Sequence, residues 1–291
     1  MLNWNSNKTI HEILSTPLNL AIDNSDESLI GQARSVAQNA IHFCQQNPPS
    51  SGTFTERMNS FIFENCKLDH FGGVEALIHG YVKIIPVEPI IREDLEISLS
   101  TLELNLTIHY LQGNEFIEGN KKTWLGRITT TTVKPHTQQR LLTAQQASQI
   151  RLINKTDQLV VYSQTRENLF NTVIYTLTDF ESANYMTLDQ NENRIKWLST
   201  KGKLHIKNSP VGTYEVTFNN QEQPFTMDVH FPISGQLEIK DSNSPNSITV
   251  FAQENAKNFD YQVVNQGNPQ NKVTKIWEDF LGWETETFSF S

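Results

Sequence analysis

Between Leu77 and Val264 the chain is written with a period of two. Leu102, Leu104, Leu106, Ile108 and Tyr110 occupy every second position, and so do Phe225, Met227, Val229, Phe231 and Ile233. Successive side chains of a strand point to opposite faces, so this alternation belongs to strands with one buried face. The stretches between the strands are too short for the helical crossovers that parallel strands need. An antiparallel meander follows.

The first strands run from Leu77 to Ile85, from Asp94 to Leu111 and from Trp124 to Val133. In the second of these the apolar phase slips: Leu95, Ile97 and Leu99 are odd, whereas Leu102, Leu104 and Leu106 are even. A β-bulge at Ser100–Thr101 is expected, the device by which sheets bend; a tight hairpin turn is the competing reading, with no Gly or Pro to support it. Lys121–Lys122 reads as a turn. His136 to Ser148 is Gln-rich and polar, and marks the place where the β-region would divide. Eleven short strands follow between Leu152 and Val264, among them Phe225–Phe231, with Asn-, Asp-, Pro- and Gly-bearing turns between them.

The ends read as helical. Asn24-Ser25-Asp26-Glu27 supplies a cap, after which Leu29, Ala33, Val36, Ala37, Ala40 and Cys44 recur at three- and four-residue steps. Thr53-Phe54-Thr55-Glu56 has the form of a capping box, and predicts a second helix with Phe54, Met58, Phe61 and Ile62 on one side. Cys44 and Cys66 then fall in the helical segment, as small buried hydrophobes. Near the other end, Val273, Ile276, Trp277, Phe280 and Leu281 predict a helix over 271–282, with Gly282 as its cap and a further edge strand over Trp283–Ser291.

The fold class expected is mainly β with flanking helices (α+β). Residues 1–70 form a helical segment packed on an antiparallel region over 71–291, subdivided near 136–150. The meander makes a curled sheet or, by strand pattern alone, a calycin-like barrel.

The composition excludes more than it selects. A net charge of −9 repels phosphate backbones, so no nucleic acid partner is expected. Two cysteines in 291 residues make neither a disulfide scaffold nor a zinc site. No apolar run reaches the ~20 residues of a membrane span and no leader is visible, so the expected location is cytoplasmic. Phosphate-loop, dinucleotide-binding, nucleophile-elbow and His-Glu-x-x-His motifs are absent, and no cofactor or metal is expected.

Two strand faces offer a carboxylate with an imidazole: Glu103 with His109, and Asp228 with His230. Lining a barrel they would be catalytic acid–base groups; facing water they are ordinary polar residues. Trp124, Arg127, Tyr175, Trp197 and Tyr214 are the candidate ligand-binding residues, suited to a flat molecule oriented by few polar groups. The function expected is binding of a small apolar or aromatic molecule in a β-barrel. A cofactor-free cyclase or isomerase of small-molecule biosynthesis is its catalytic version. The alternative is a non-catalytic interaction or assembly protein. A large apolar pocket with buried His and carboxylate groups would favour the first, and a filled core with an exposed apolar patch the second.

Overall fold

The computed structural model describes residues 2–22, 28–46, 49–71, 74–92, 94–112, 115–136, 146, 149–164, 172–188, 194–227 and 231–281. The chain begins with two helices, α1 (Asn7–Ile22) and α2 (Leu29–Gln46). In α1, Ile10, Ile13, Leu14, Leu18 and Ala21 are buried, and in α2, Ile30, Ala33, Ala37, Ala40, Ile41 and Cys44. Both sets are single stripes at helical spacing. Ser28 caps α2: its Oγ accepts from the amide of Gly31 at 3.0 Å. The segment Asn24–Glu27 lies outside the described residues.

Sixteen strands of the described residues then form one antiparallel sheet. The long ones come first: β1 (Ser51–Arg57), β2 (Ser60–Phe71), β3 (Val74–Arg92), β4 (Leu95–Gln112), β5 (Glu115–Pro135), β6 (Arg151–Gln164), β7 (Val173–Leu188) and β8 (Arg194–Ser209). Shorter ones follow: β9 (Gly212–Asn219), β10 (Phe225–Met227), β11 (Pro232–Ser234), β12 (Gln236–Asp241), β13 (Ser247–Ala252), β14 (Asn258–Asn265), β15 (Asn268–Pro269) and β16 (Val273–Ile276). The spatial order is the chain order from β1 to β9, then β12 to β15, with β10 and β11 branching from β8 and β16 joining β14. The chain is thus mainly β with flanking helices, in a large antiparallel meander. Among the described residues the sheet is not closed: β1 pairs only with β2, and β15 and β16 only with β14. β5 pairs directly with β6, so one sheet continues across the expected division near 136–150.

One face of this sheet carries the helices. α2 packs on β2 and β4, and α1 on β8 and β12. Phe61 and Phe63 (β2), Leu104 and Leu106 (β4), Leu204 and Ile206 (β8), Ile239 (β12) and Phe259 (β14) belong to a single buried cluster with them. A final helix, α3 (Trp277–Leu281), closes the cluster: the Trp277 ring is fully buried, with its centroid 4.3 Å from that of Phe259.

Four expectations are corrected. Residues 51–71 are not a second helix but the β1–β2 hairpin. Thr53 does not cap; its hydroxyl donates across the strands to Glu64 at 3.0 Å, and Glu56 accepts from Gln45 of α2 at 3.0 Å. Thr and Phe are sheet-prone, and once Phe61 and Phe63 can be buried in alternation the local capping signal loses. Met58, with φ 50, is the exposed turn of the hairpin. Cys66 therefore lies on a strand.

The bulge expected at Ser100–Thr101 is not there. β4 pairs residue by residue with β5 through both positions, and the register shift lies in β3, between Val87 and Ile90. The apolar phase changes because the apolar side changes. Leu102 to Ile108 face the helices, whereas Leu99 and Ile97 lie on the opposite face, beside Val87 and Ile90.

Lys121–Lys122 is not a turn but part of β5. Over 271–282, Val273 and Ile276 are exposed strand residues of β16, and the helix is confined to α3. Gly282 and the expected edge strand beyond it lie outside the described residues. The expected strand Phe225–Phe231 is described at its ends only, and its first residues are β10, hydrogen-bonded to β11 as a hairpin.

Truncation of Trp277 to Ala removes the largest side chain between α3 and β14. A loss of about 3–5 kcal/mol is expected, read as the denaturant midpoint with unchanged slope. A midpoint shift equivalent to less than about 1 kcal/mol would show that α3 does not close the core.

Candidate functional site

The helix layer is shorter than the strands it covers, and the inner face turns polar where the cover ends. On one side lies a cleft of about 200 Å³ between the helices and β5–β7. Thr16 and Asn19 of α1 and Gln32 of α2 line it from above, and Lys122, Ser163 and Tyr175 from the sheet. Lys122 is aligned with Ser163 across β5–β6, and Trp124, two residues along, with Val161, which in turn faces Tyr175 on β7. The alternation that buries Trp124 therefore turns Lys122 inward as well.

The Lys122 ammonium forms no hydrogen bond or ion pair among the described residues. Burial pushes its ammonium below the ordinary lysine range. Tyr175 is pushed up by burial and, secondarily, by the charge of Glu12 on α1. Glu12 is itself raised by burial, with Lys8 opposing the shift. Tyr214, on β9, donates its hydroxyl to the Glu12 carbonyl at 3.1 Å and is buried in the seam beneath α1. An amine without a counter-charge, a phenol and several neutral hydrogen-bonding groups thus converge on one opening.

A second cleft of about 260 Å³ lies on the opposite flank of the helices, lined by Arg34, Gln38, Asn154, Ser182 and Asn184. Arg34 of α2 donates to Thr130 and to Asn154, which hold the guanidinium on the sheet. A third, of about 640 Å³, lies between the N-terminal residues and the β12–β13 turn, with Trp4, Tyr214 and Pro245 on its wall.

The nine residues singled out from the sequence are divided by the sheet. Trp124, Tyr175 and Tyr214 point to the helices; Trp124 and Tyr214 are buried, and Tyr175 lines the Lys122 cleft. Glu103, His109, Arg127 and Trp197 lie on the other, convex face. Glu103 is directly opposite Lys83 and Arg127 on the neighbouring strands, accepting from Arg127 at 3.1 Å and from Tyr81 at 3.1 Å. Arg127, then Tyr81, hold its carboxyl below the usual range, so it is an ionised partner at neutral pH. His109 sits opposite Lys121, and partial burial together with that charge pushes its imidazole down. Trp197 lies parallel to Tyr185, with ring centroids 6.2 Å apart, and its Nε1 donates to Thr187 at 2.7 Å. Asp228 and His230 lie outside the described residues.

Sequence reasoning missed Lys122. The signal was present: extending the period of two backward from Trp124 places Lys122 on the inner face. Arg34 carried a similar signal, four residues after the buried Ile30 on the same side of the helix.

Comparisons with protein families, with curated proteins and with solved structures find no match to this chain. Among the described residues no helix is long and apolar enough to cross a membrane.

The convex ion pair yields a test. Its arginine is 62% exposed, so Arg127→Ala should change stability by less than about 1 kcal/mol, as measured by chemical denaturation. A larger loss would mean that the pair organises the sheet.

Proposed function

We propose that this protein binds a small molecule bearing both an anionic group and a planar apolar part, in the cleft of Lys122 and Tyr175. Lys122 carries the reading. A desolvated ammonium without a counter-charge costs free energy in the ligand-free protein, and a carboxylate entering the cleft would offset that cost. Tyr175, Val161 and Leu29 offer the apolar wall. About 200 Å³ lies below the range of drug-sized pockets and suits a single-ring ligand. The reading is of binding rather than turnover, because Glu103 and His109 stand on the face turned away from the cleft.

The test uses single-ring aromatic carboxylates as probes, titrated by calorimetry into wild type and into Lys122→Met. Wild type should bind, and the variant should lose at least about tenfold in affinity, the equivalent of ~1.4 kcal/mol. Binding should weaken as pH rises through the lowered lysine range, because the neutral amine no longer attracts the anion. Equal binding by the two proteins would reject the site. Should neither bind, weight passes to the interaction-protein reading, for which Val87, Ile90 and Ile91, at 45%, 51% and 56% exposure, are the first residues to probe.

The ligand-free protein gives a second, independent readout. A lysine whose folded-state pKa is lowered destabilises the fold below that pKa. The penalty fades as pH climbs toward the unfolded value. Lys122→Met should therefore raise the neutral-pH melting temperature by a few degrees, on the order of 1 kcal/mol. A fall would show that the ammonium is satisfied.

A further inference from the structure

The chain has two cysteines, far apart in type of element and 22 positions apart in sequence, and the fold brings them together. Cys44 belongs to the last turns of α2 and Cys66 to β2, and both are buried, at 4% and 0% exposure. Their sulfurs are 3.1 Å apart. Carbon atoms in non-bonded contact stay ~3.5–4.0 Å apart, and sulfur is larger. The two thiols thus lie inside ordinary packing distance.

The approach depends on one irregularity. Phe61 and Phe63 face the helices at alternate positions, so strict alternation would turn residue 65 inward and residue 66 outward. The register of β2 against β3 shifts between Phe63 and Cys66, with Asn65 at φ 52. That extra residue turns Cys66, and Leu68 after it, onto the helix face. The bulge is what aims Cys66 at Cys44.

We propose that Cys44 and Cys66 form an intramolecular disulfide that fastens the C-terminal end of α2 to the edge hairpin β1–β2. The oxidant is a small disulfide of the glutathione class. The Cys66 thiolate attacks one of its sulfurs, forming a mixed disulfide and releasing one small thiolate. Cys44 then attacks the Cys66 sulfur, giving the protein disulfide and releasing the second small thiol. The protein gives up two electrons and two protons, and the oxidant, reduced to two thiols, takes them up. Cys66 attacks first because it stays on its strand when the turns of α2 that carry Cys44 lift, and the reverse order gives the same disulfide. Both sulfurs are closed to solvent once α2 is seated, so exchange takes place before the helix docks or when its last turns lift.

The cross-link closes a short loop where α2 meets the sheet edge, beside the hydrogen bond from Gln45 to Glu56 of β1. Disulfides over loops of this size stabilise chiefly by restricting the unfolded chain. On a chain of this length that corresponds to a melting-temperature rise on the order of 5–10 °C.

The experiment refolds the full chain from urea with oxidised glutathione in excess, then counts free thiols by maleimide mass tagging under denaturing conditions. The expected result is no tag before reduction and two tags after, with one proteolytic fragment joining the Cys44 and Cys66 peptides. Reduction should lower the melting temperature by the stated amount, and the Cys44→Ala/Cys66→Ala variant should show no response to reductant. Two taggable thiols after oxidative refolding would overturn the proposal. So would glutathione retained on either cysteine, cross-linking between chains, or a melting temperature indifferent to reductant. The thiol count on wild type decides the matter even if the variant fails to fold.

Discussion

The whole structure follows from a mismatch of width. The sheet's main path runs through thirteen hydrogen-bonded strands. Laid flat at ~4.8 Å per strand it would be about 60 Å wide. The two helices lie across the strands, α2 from Arg34 over β5 and β6 to Cys44 over β2 and α1 at Glu12 beside β9, so their lengths of about 24 and 27 Å run along that width and together fall short of it. An apolar face left uncovered over so large an area would be a liability in water. The sheet must therefore curl until one helix pair reaches strands from β2 to β14. Its irregularities serve that end. The register shifts of β5 against β6 between Gly126 and Thr129, and of β7 against β8 between Thr178 and Glu181. Asp179 takes a left-handed φ of 51, and Gly202 opposite leaves room for Phe218 and Phe180, where a Cβ would come within 2.7 Å of the Phe218 ring. Bulges aligned across neighbouring strands form a line of bending rather than scattered defects.

Length imposes a second mismatch at right angles to the first. Along the strands the helices, which lie across them, offer only their thickness of ~10 Å each. β5, with 21 residues, runs nearly 70 Å at ~3.3 Å per residue. On either flank of the helices the inner face turns polar: Lys122 and Ser163 on one side, Thr130, Asn154 and Ser182 on the other. The apolar residues of the overhang pass to the convex face, as Val87, Leu99, Ile90 and Ile97 do. Over the covered stretch the convex face is instead joined by cross-strand ion pairs. Glu181 sits between Lys155 and Lys201, at 3.0 and 3.8 Å, and Lys203 meets Glu215 at 3.0 Å. Such exposed pairs contribute little stability each, but they suit a solvated face and discourage other pairings.

This geometry explains what could be read from the sequence. Wherever a strand keeps one register under the helices, its alternation is plain. Leu102 to Ile108, Leu237 and Ile239, Ile248 and Val250, and Phe259, Tyr261 and Val263 all read correctly. Wherever a bulge intervenes, one long strand reads as two short ones. In β6 the inward positions are Asn154 and Thr156, then Leu159 and Val161; in β7 they are Tyr175 and Leu177, then Phe180 and Ser182. The flip of parity at Asp157 and Asp179 mimics a turn, and both residues are turn formers. The overhang misled in the same way, its change of face taking the form of an irregularity at Ser100–Thr101.

The chemistry-bearing residues were harder to place than the apolar ones because parity, not composition, decides where they point. An apolar residue announces its side by what it avoids; a lysine, a glutamate or a cysteine does not. Glu103 and His109 share the odd positions of β4, and so stand on the convex face with the ion pairs. Lys122 shares the parity of Trp124, and so stands inside, at the flank of the helices. Cys66 is displaced by one residue through the bulge after Phe63, and so meets α2 instead of solvent. In each case a side chain gains its environment from the register of the strand that carries it. The curl that lets two helices cover the sheet is built from those same register shifts, so the device that closes the core also selects which polar groups it encloses.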